Sequence, residues 1–145
     1  WTDAMRWLDT NTPKATRVLA SPGHAWRYGT TVRVSARRDV FVEEVKDSAM
    51  AMYWRPAALA VSERLRIAAD FERLTADTAT ALARAEGIDV LVTEAQLPLP
   101  PLYSNARFRI YALSEGYRLP APGSGTAPTL PPAAGTGFPA ARGRS

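Results

Sequence analysis

Residues 75–92 constrain the fold more than any other stretch. Thr75 suits the N-cap of a helix in which Ala79, Leu82 and Ala83 share one face while Asp77, Arg84 and Glu86 point away, and Gly87 supplies the stop. Ile88-Asp89-Val90-Leu91-Val92 follows at once as a strand ending at Thr93-Glu94. A helix passing directly into a short apolar strand gives the αβ alternation of a right-handed parallel unit, and that strand needs partners. Two earlier runs qualify. Arg17-Val18-Leu19-Ala20 is closed by Ser21-Pro22-Gly23, and Asp39 to Val45 carries three consecutive apolar residues, which suits a sheet covered on both faces.

The remaining elements arrange themselves around these strands. Asp3 to Asp9 reads as a short amphipathic helix, ended by Asn11-Thr12-Pro13 because a proline holds the residue before it extended. Between His24 and Ala36 the signals conflict, and position between two strands favours a crossover helix. Pro56 fits the first turn of a helix in which Ala57, Val61, Leu65 and Ala68 form an apolar stripe. A proline-rich loop runs from Leu97 to Tyr103, and Phe108 to Leu113 adds an edge strand whose direction, parallel or antiparallel, stays open. The expected fold over residues 1–113 is a small three-layer, Rossmann-like α/β domain with a mainly parallel sheet of about four strands.

Composition separates this unit from residues 114–145. Of the 12 prolines and 9 glycines, six of each fall in that segment, so a disordered Pro/Gly/Ala-rich tail is expected there. Arg118, Arg142 and Arg144 belong to that tail with Glu115, leaving 15 basic against 13 acidic residues upstream. So small an excess gives no reason to expect a nucleic-acid partner. With no cysteine and one histidine, the chain has no disulfide, no thiolate nucleophile and no multi-histidine metal site, and no cofactor is expected. No apolar run reaches the roughly 18–20 residues that span a bilayer. The chain opens at Trp1 without an initiator methionine or a signal-like segment, and reads as a fragment of a longer protein.

In an open parallel sheet, ligands lie beyond the carboxyl ends of the strands. Three groups meet that description: Ser21, His24 and Arg27; Glu44, Lys46 and Asp47; and Thr93 with Glu94. Arg27 and Lys46 would supply charge-assisted donors to a polar or anionic group, Gly23 would allow close backbone approach, and His24 could titrate near neutral pH. The competing reading is that these are solvated loop residues, with Lys46 and Asp47 paired to neighbours and His24 a loop or capping residue. Both stay open. Ser21-Pro22-Gly23-His24 has neither the spacing of a phosphate loop nor a dinucleotide-binding glycine run, and no Gly-x-Ser-x-Gly elbow exists. Glu43 and Glu44 are adjacent on an expected strand, point to opposite faces and read as edge or loop charges. Trp1, Trp7, Trp26 and Trp54, with Tyr28 and Tyr53, could stack on sugars, face lipid headgroups or sit half-buried at the core margin.

The order of motifs adds to this reading. Trp7 and Asn11-Thr12-Pro13 precede the first strand, Ser21-Pro22-Gly23-His24 follows it, Arg38-x-Val40-x-Val42 forms the second, and Lys46-Asp47 lies beyond. Gly87-Ile88-Asp89-Val90-Leu91-Val92 and Asn105-x-x-Phe108-x-Ile110-Tyr111 come last. Over residues 1–113 the chain resembles the C-terminal extracytoplasmic domain of bacterial multi-pass membrane proteins related to GT-C type glycosyltransferases. The resemblance implies a periplasmic or outer-surface location as part of an integral membrane protein, with a membrane-embedded part of the same polypeptide as partner. A lipid-linked sugar or glycan is the implied ligand of the whole protein. In such relatives the catalytic acid lies mainly in the membrane part, so no catalytic residue carries over and this domain is expected to be accessory and non-catalytic by itself. The alternative is a free-standing soluble module that binds a polar or anionic small ligand at the strand-end crevice; a small enzyme using His24 is a third reading.

Overall fold

Val18 and Leu19 anchor the molecule: both are fully buried, on opposite faces of the interior strand β1 (Arg17–Leu19). The computed structural model describes residues 1–120, in which the remaining elements are α1 (Thr2–Asn11), α2 (His24–Tyr28), α3 (Val32–Ser35), β2 (Asp39–Val40), α4 (Glu44–Ala51), α5 (Arg55–Ile67), α6 (Ala76–Glu86), β3 (Val90–Thr93), β4 (Pro101–Ser104) and β5 (Arg109–Ala112). A 3-10 turn at Phe71–Arg73 joins α5 to α6.

The five strands form one mixed sheet in the order β2-β1-β3-β5-β4. β1 pairs in parallel with β2 and β3, whereas β5 is antiparallel to both β3 and β4. The chain is therefore α/β, but the expected four-stranded, mainly parallel sheet is corrected to five strands with as many antiparallel pairings as parallel ones. The reason is local. Asn105 Oδ1 accepts the backbone N–H groups of Arg107 and Phe108 at 2.9 and 2.7 Å, turning the chain back on itself and pairing Pro101–Ser104 with β5. Part of the expected proline-rich loop is thus the edge strand, where Pro101 is tolerated because an edge needs no donor on its outer side. β5 becomes an interior strand.

Alternation along each strand feeds two cores. Val18, Val40, Val90, Val92 and Ile110 face α1 and α3, with Met5 and Leu8 packed over them. Leu19, Phe41, Leu91 and Tyr111 face α6 and the end of α5, over Ala79 and Ala83. Helices cover both faces, and each large buried aliphatic or aromatic side chain contributes about 1.5–3 kcal/mol.

Several elements differ from expectation for identifiable reasons. The strand expected over Asp39–Val45 pairs only at Asp39–Val40, because Glu43 is the N-cap of α4 and the chain turns there; Phe41 and Val42 are buried without extending the ladder. The expected His24–Ala36 helix is two short helices broken at Gly29, whose φ of +78° is left-handed. α5 forms with Pro56 in its first turn, but only the end of its stripe, Leu65 and Ala68, reaches the core, while Val61 lies against α4, and neither helix contains a buried residue. α6 follows expectation in cap, face and stop: Thr75 Oγ1 accepts the Thr78 N–H at 3.2 Å, and Gly87 closes the helix at φ +65°.

The ordered unit runs past Leu113. Tyr117 packs against the α1 core and its hydroxyl lies 3.0 Å from Thr16 Oγ1, while Ser114 N–H donates to the Asp89 carbonyl at 3.4 Å. The remainder of the expected disordered tail, residues 121–145, lies outside the described residues.

Candidate functional site

Among the described residues the parallel strands reverse order between β1 and β3, and the crevice beyond their carboxyl ends is where a ligand would be sought. Aromatic rings fill it. Trp1 stacks on Tyr28 at 4.6 Å between ring centres, and Phe108 meets both edge-on, at 5.4 Å from Trp1 and 5.0 Å from Tyr28. What remains open is a shallow depression of about 450 Å3 lined by Trp1, Asp3, Arg27, Tyr28, Arg107 and Phe108, among others. Arg107 lies over the Tyr28 and Phe108 rings at 5.3 and 5.5 Å. Among the described residues the buried Trp1 Nε1 has no hydrogen-bond partner.

The expected site residues divide into three groups. His24, expected in an open loop, is fully buried at the start of α2. Its Nδ1–H donates to the Ser21 carbonyl at 2.7 Å, and its Nε2 accepts the Val32 N–H at 3.3 Å. Those partners fix one neutral tautomer, since a proton on Nε2 would face the Val32 N–H. Burial, the largest influence, pushes the pKa of His24 below its usual 6.5. The ring ties α2 to α3. Ser21 is buried beside it and supplies the carbonyl that holds it.

Asp47 belongs to a second structural cluster. Both its oxygens accept from Arg33, at 2.7 and 3.2 Å, and Oδ2 also accepts the Glu43 backbone N–H at 2.8 Å. Glu43, expected as an edge or loop charge, is instead 1% exposed, with its carboxylate 3.3 Å from Arg33. A bidentate guanidinium between two carboxylates fastens the first turn of α4 to α3. Neither Arg33 nor Glu43 is marked as a partner by the sequence, since one looks like a helix-surface residue and the other like an exposed strand charge. Glu44 and Lys46 lie on the exposed side of this turn.

The third group is at the surface. Arg27 pairs with Glu72 across the rim of the depression. Glu94 accepts from the Tyr28 hydroxyl at 2.6 Å and from Arg107 at 2.9 and 3.0 Å, and Arg107, its strongest influence, draws its pKa below the usual carboxylate value. The same hydrogen bond from Tyr28 helps push its phenol up to about 12, behind the larger effect of desolvation. Thr93 is buried and its hydroxyl accepts the Ala95 N–H at 3.0 Å. Thus Arg27, Tyr28, Glu94 and Arg107 share one rim, whereas Glu44 and Lys46 stand apart from it on α4. Tyr28 and Arg107, absent from the expected site, carry no distinguishing motif.

Two of the sequence motifs, Asn11-Thr12-Pro13 and Arg38-x-Val40-x-Val42, converge elsewhere. The Arg38 side chain is 1% exposed and donates to the carbonyls of Leu8, Asp9 and Thr12 at 3.2, 2.8 and 2.6 Å, and to Thr12 Oγ1 at 2.9 Å. Pro13 has no N–H, so the Asp9 carbonyl lacks its helical i+4 donor, and Arg38 replaces it. Asn11-Thr12-Pro13 and the Arg-x-Val strand are two halves of one helix terminus. Among the described residues no cluster of three or more His, Asp or Glu could hold a metal ion, and no helix is long and apolar enough to cross a membrane. No protein-family model matches the chain, and no curated protein or solved structure matches it significantly.

Proposed function

We propose that the chain is an accessory extracytoplasmic domain of a multi-pass membrane protein resembling lipid-linked-sugar glycosyltransferases, and that it works through contact rather than through chemistry of its own. In this reading the membrane-embedded part of the same polypeptide is its partner, the whole protein handles a lipid-linked sugar or glycan, and β2-β1-β3 is the Rossmann-like half of the fold. The observation that supports it best is where the polar side chains go. His24, Asp47, Arg33, Glu43 and Arg38 fasten elements together, while exposed apolar side chains gather on α4 and α5. A domain built this way offers a surface rather than a reactive centre.

The test is the sequence of the intact polypeptide. Eight or more apolar spans of about 20 residues before Trp1 support the reading, and none overturns it. The alternative, a module that binds a polar or anionic ligand, draws on the unpartnered Trp1 Nε1 and the Arg27 and Arg107 side chains around the depression. Titration with inorganic phosphate, followed by amide chemical shifts, separates the two. Saturable shifts at Arg27 and Arg107 that vanish in Arg107→Ala favour the ligand module, and unchanged spectra favour the contact domain.

A further inference from the structure

The α4–α5 hairpin carries most of the exposed large apolar side chains among the described residues. Met52, Tyr53 and Trp54, at its turn, are 76%, 86% and 66% exposed, with Met50 and Leu59 beside them at 66% and 65%. Neither helix has a buried residue, and the hairpin joins the core mainly through Leu65 and Ile67 near the end of α5. Ten residues of helix separate Arg55 from Leu65, so the turn stands about 15 Å from that attachment. Soluble surfaces scatter single apolar residues; a cluster of this kind marks a contact.

Charge identifies the occupant. From Ser48 to Ser62 the sole charged residue is Arg55, and the stretch contains no acid, in a chain with 14 acidic residues. At the base of the same hairpin Lys46 is exposed together with Glu44 and Glu63, so the charge-free stretch is the tip itself. A tryptophan and a tyrosine at the apex, methionines beneath and Arg55 beside them, with no acid between Ser48 and Ser62, match the interface of an anionic bilayer: the rings take the headgroup level, the apolar stems reach the acyl boundary and no carboxylate at the tip is repelled. A convex turn also needs no shape-matched partner to bury these side chains in lipid.

We infer that the Met50–Trp54 turn is a lipid-interface anchor that inserts into the headgroup region of anionic membranes. The inference does not rest on the membrane-protein reading, since a chain with no spanning segments of its own could carry the same anchor. The 145-residue chain is sedimented with sucrose-loaded phosphatidylcholine vesicles, with and without about one-third phosphatidylglycerol. Co-sedimentation with the anionic vesicles is expected, with a loss of about tenfold or more in partitioning for the Met52→Ser/Trp54→Ser double variant. Arg55→Glu should weaken binding to anionic vesicles alone, and Trp26→Ser, which removes a 78% exposed indole on α2, should leave partitioning unchanged. Circular dichroism confirms that each variant keeps its fold, as expected where no buried contact is removed.

Failure to co-sediment, or equal partitioning by the double variant, overturns the inference. So does a dimer by light scattering that the double variant dissolves without any vesicle binding, because the tip then meets a second copy of the chain. Spanning segments upstream combined with no vesicle binding would leave the proposed function standing and remove the anchor alone.

Discussion

Replacing Arg38 with methionine tests the clamp between α1 and β2. Methionine keeps much of the apolar stem and removes every donor. The Leu8 carbonyl keeps the Thr12 N–H at 3.1 Å and the Thr12 hydroxyl at 2.6 Å, so it is not stranded. The Asp9 and Thr12 carbonyls lose their Arg38 bonds of 2.8 and 2.6 Å, and Pro13 cannot substitute for the first of them. The Ala36 and Arg37 carbonyls lose bonds of 3.1 Å each as well, and four carbonyls short of a partner at about 1 kcal/mol each, offset in part by removing a buried charge, give a net loss of about 3 kcal/mol. With a urea m-value of about 1.5 kcal/mol/M, the unfolding midpoint falls by about 2 M. Arg38→Lys keeps the charge but not the five-donor fork, so about half the loss is expected. The assay is urea unfolding followed by far-ultraviolet circular dichroism, with exposed Arg73→Ala as the control that leaves the midpoint unchanged. An Arg38→Met midpoint matching the wild type would refute the argument that this guanidinium completes the helix terminus.

Other substitutions probe separate links. Gly87→Ala should cost about 1–2 kcal/mol in the same assay, all of it backbone strain, because φ is +65° and no atom lies within 4 Å of the added Cβ. Thr75→Ala should cost about 1 kcal/mol by removing the α6 cap, with amide exchange rising first at Thr78. Because burial lowers the pKa of His24 in the folded chain, the unfolded chain takes up its proton first. Stability is therefore full above about pH 7 and declines as pH falls below 6.5 toward the folded value. A His24→Gln variant should be less stable at pH 7.5 yet show a flatter profile between pH 5 and 7; equal slopes would contradict the buried neutral imidazole. Asp9 behaves similarly at lower pH: its pKa is lowered to about 2, mainly by its hydrogen bond to Arg37, so its contribution is present above pH 3.8 and disappears toward pH 2. Asp9→Asn should remove that acid-limb component of the unfolding profile.

The features legible in the sequence are those that local chemistry decides. The α6 segment shows cap, face and stop within a dozen residues, and Pro56 marks the first turn of α5. Burial of the three apolar runs is also legible, since alternation and β-branching report it directly. Strand pairing is less so. The Asp39–Val45 run is buried from Val40 through Glu43, but its ladder ends at Val40 because an aspartate four residues beyond the N-cap bonds the Glu43 N–H, an interaction that competes with extension. Sheet direction at β5 depends on Asn105 turning the chain, one side chain within a stretch that otherwise reads as loop.

The site is harder to read because polarity does not announce its partner. Ser21, His24 and Asp47 have the residue types and positions of a strand-end site, and they are neighbours of such a crevice. Their hydrogen bonds go inward, to Val32, Arg33 and nearby backbone groups. Arg38 makes the same point in reverse: a cation in a strand motif reads as a surface or ligand residue until the proline that orphans the Asp9 carbonyl is found beside it in space. Asn11-Thr12-Pro13 and Arg38 are fold determinants here.

Membrane fractionation of the intact protein, carrying an epitope tag inserted at the exposed Gly116, tests the central claim most directly. The account predicts that the tag stays in the carbonate-washed membrane pellet and is cleaved by protease added outside the cytoplasmic membrane. A tag recovered in the carbonate supernatant, or shielded from that protease until the membrane is broken, would contradict it.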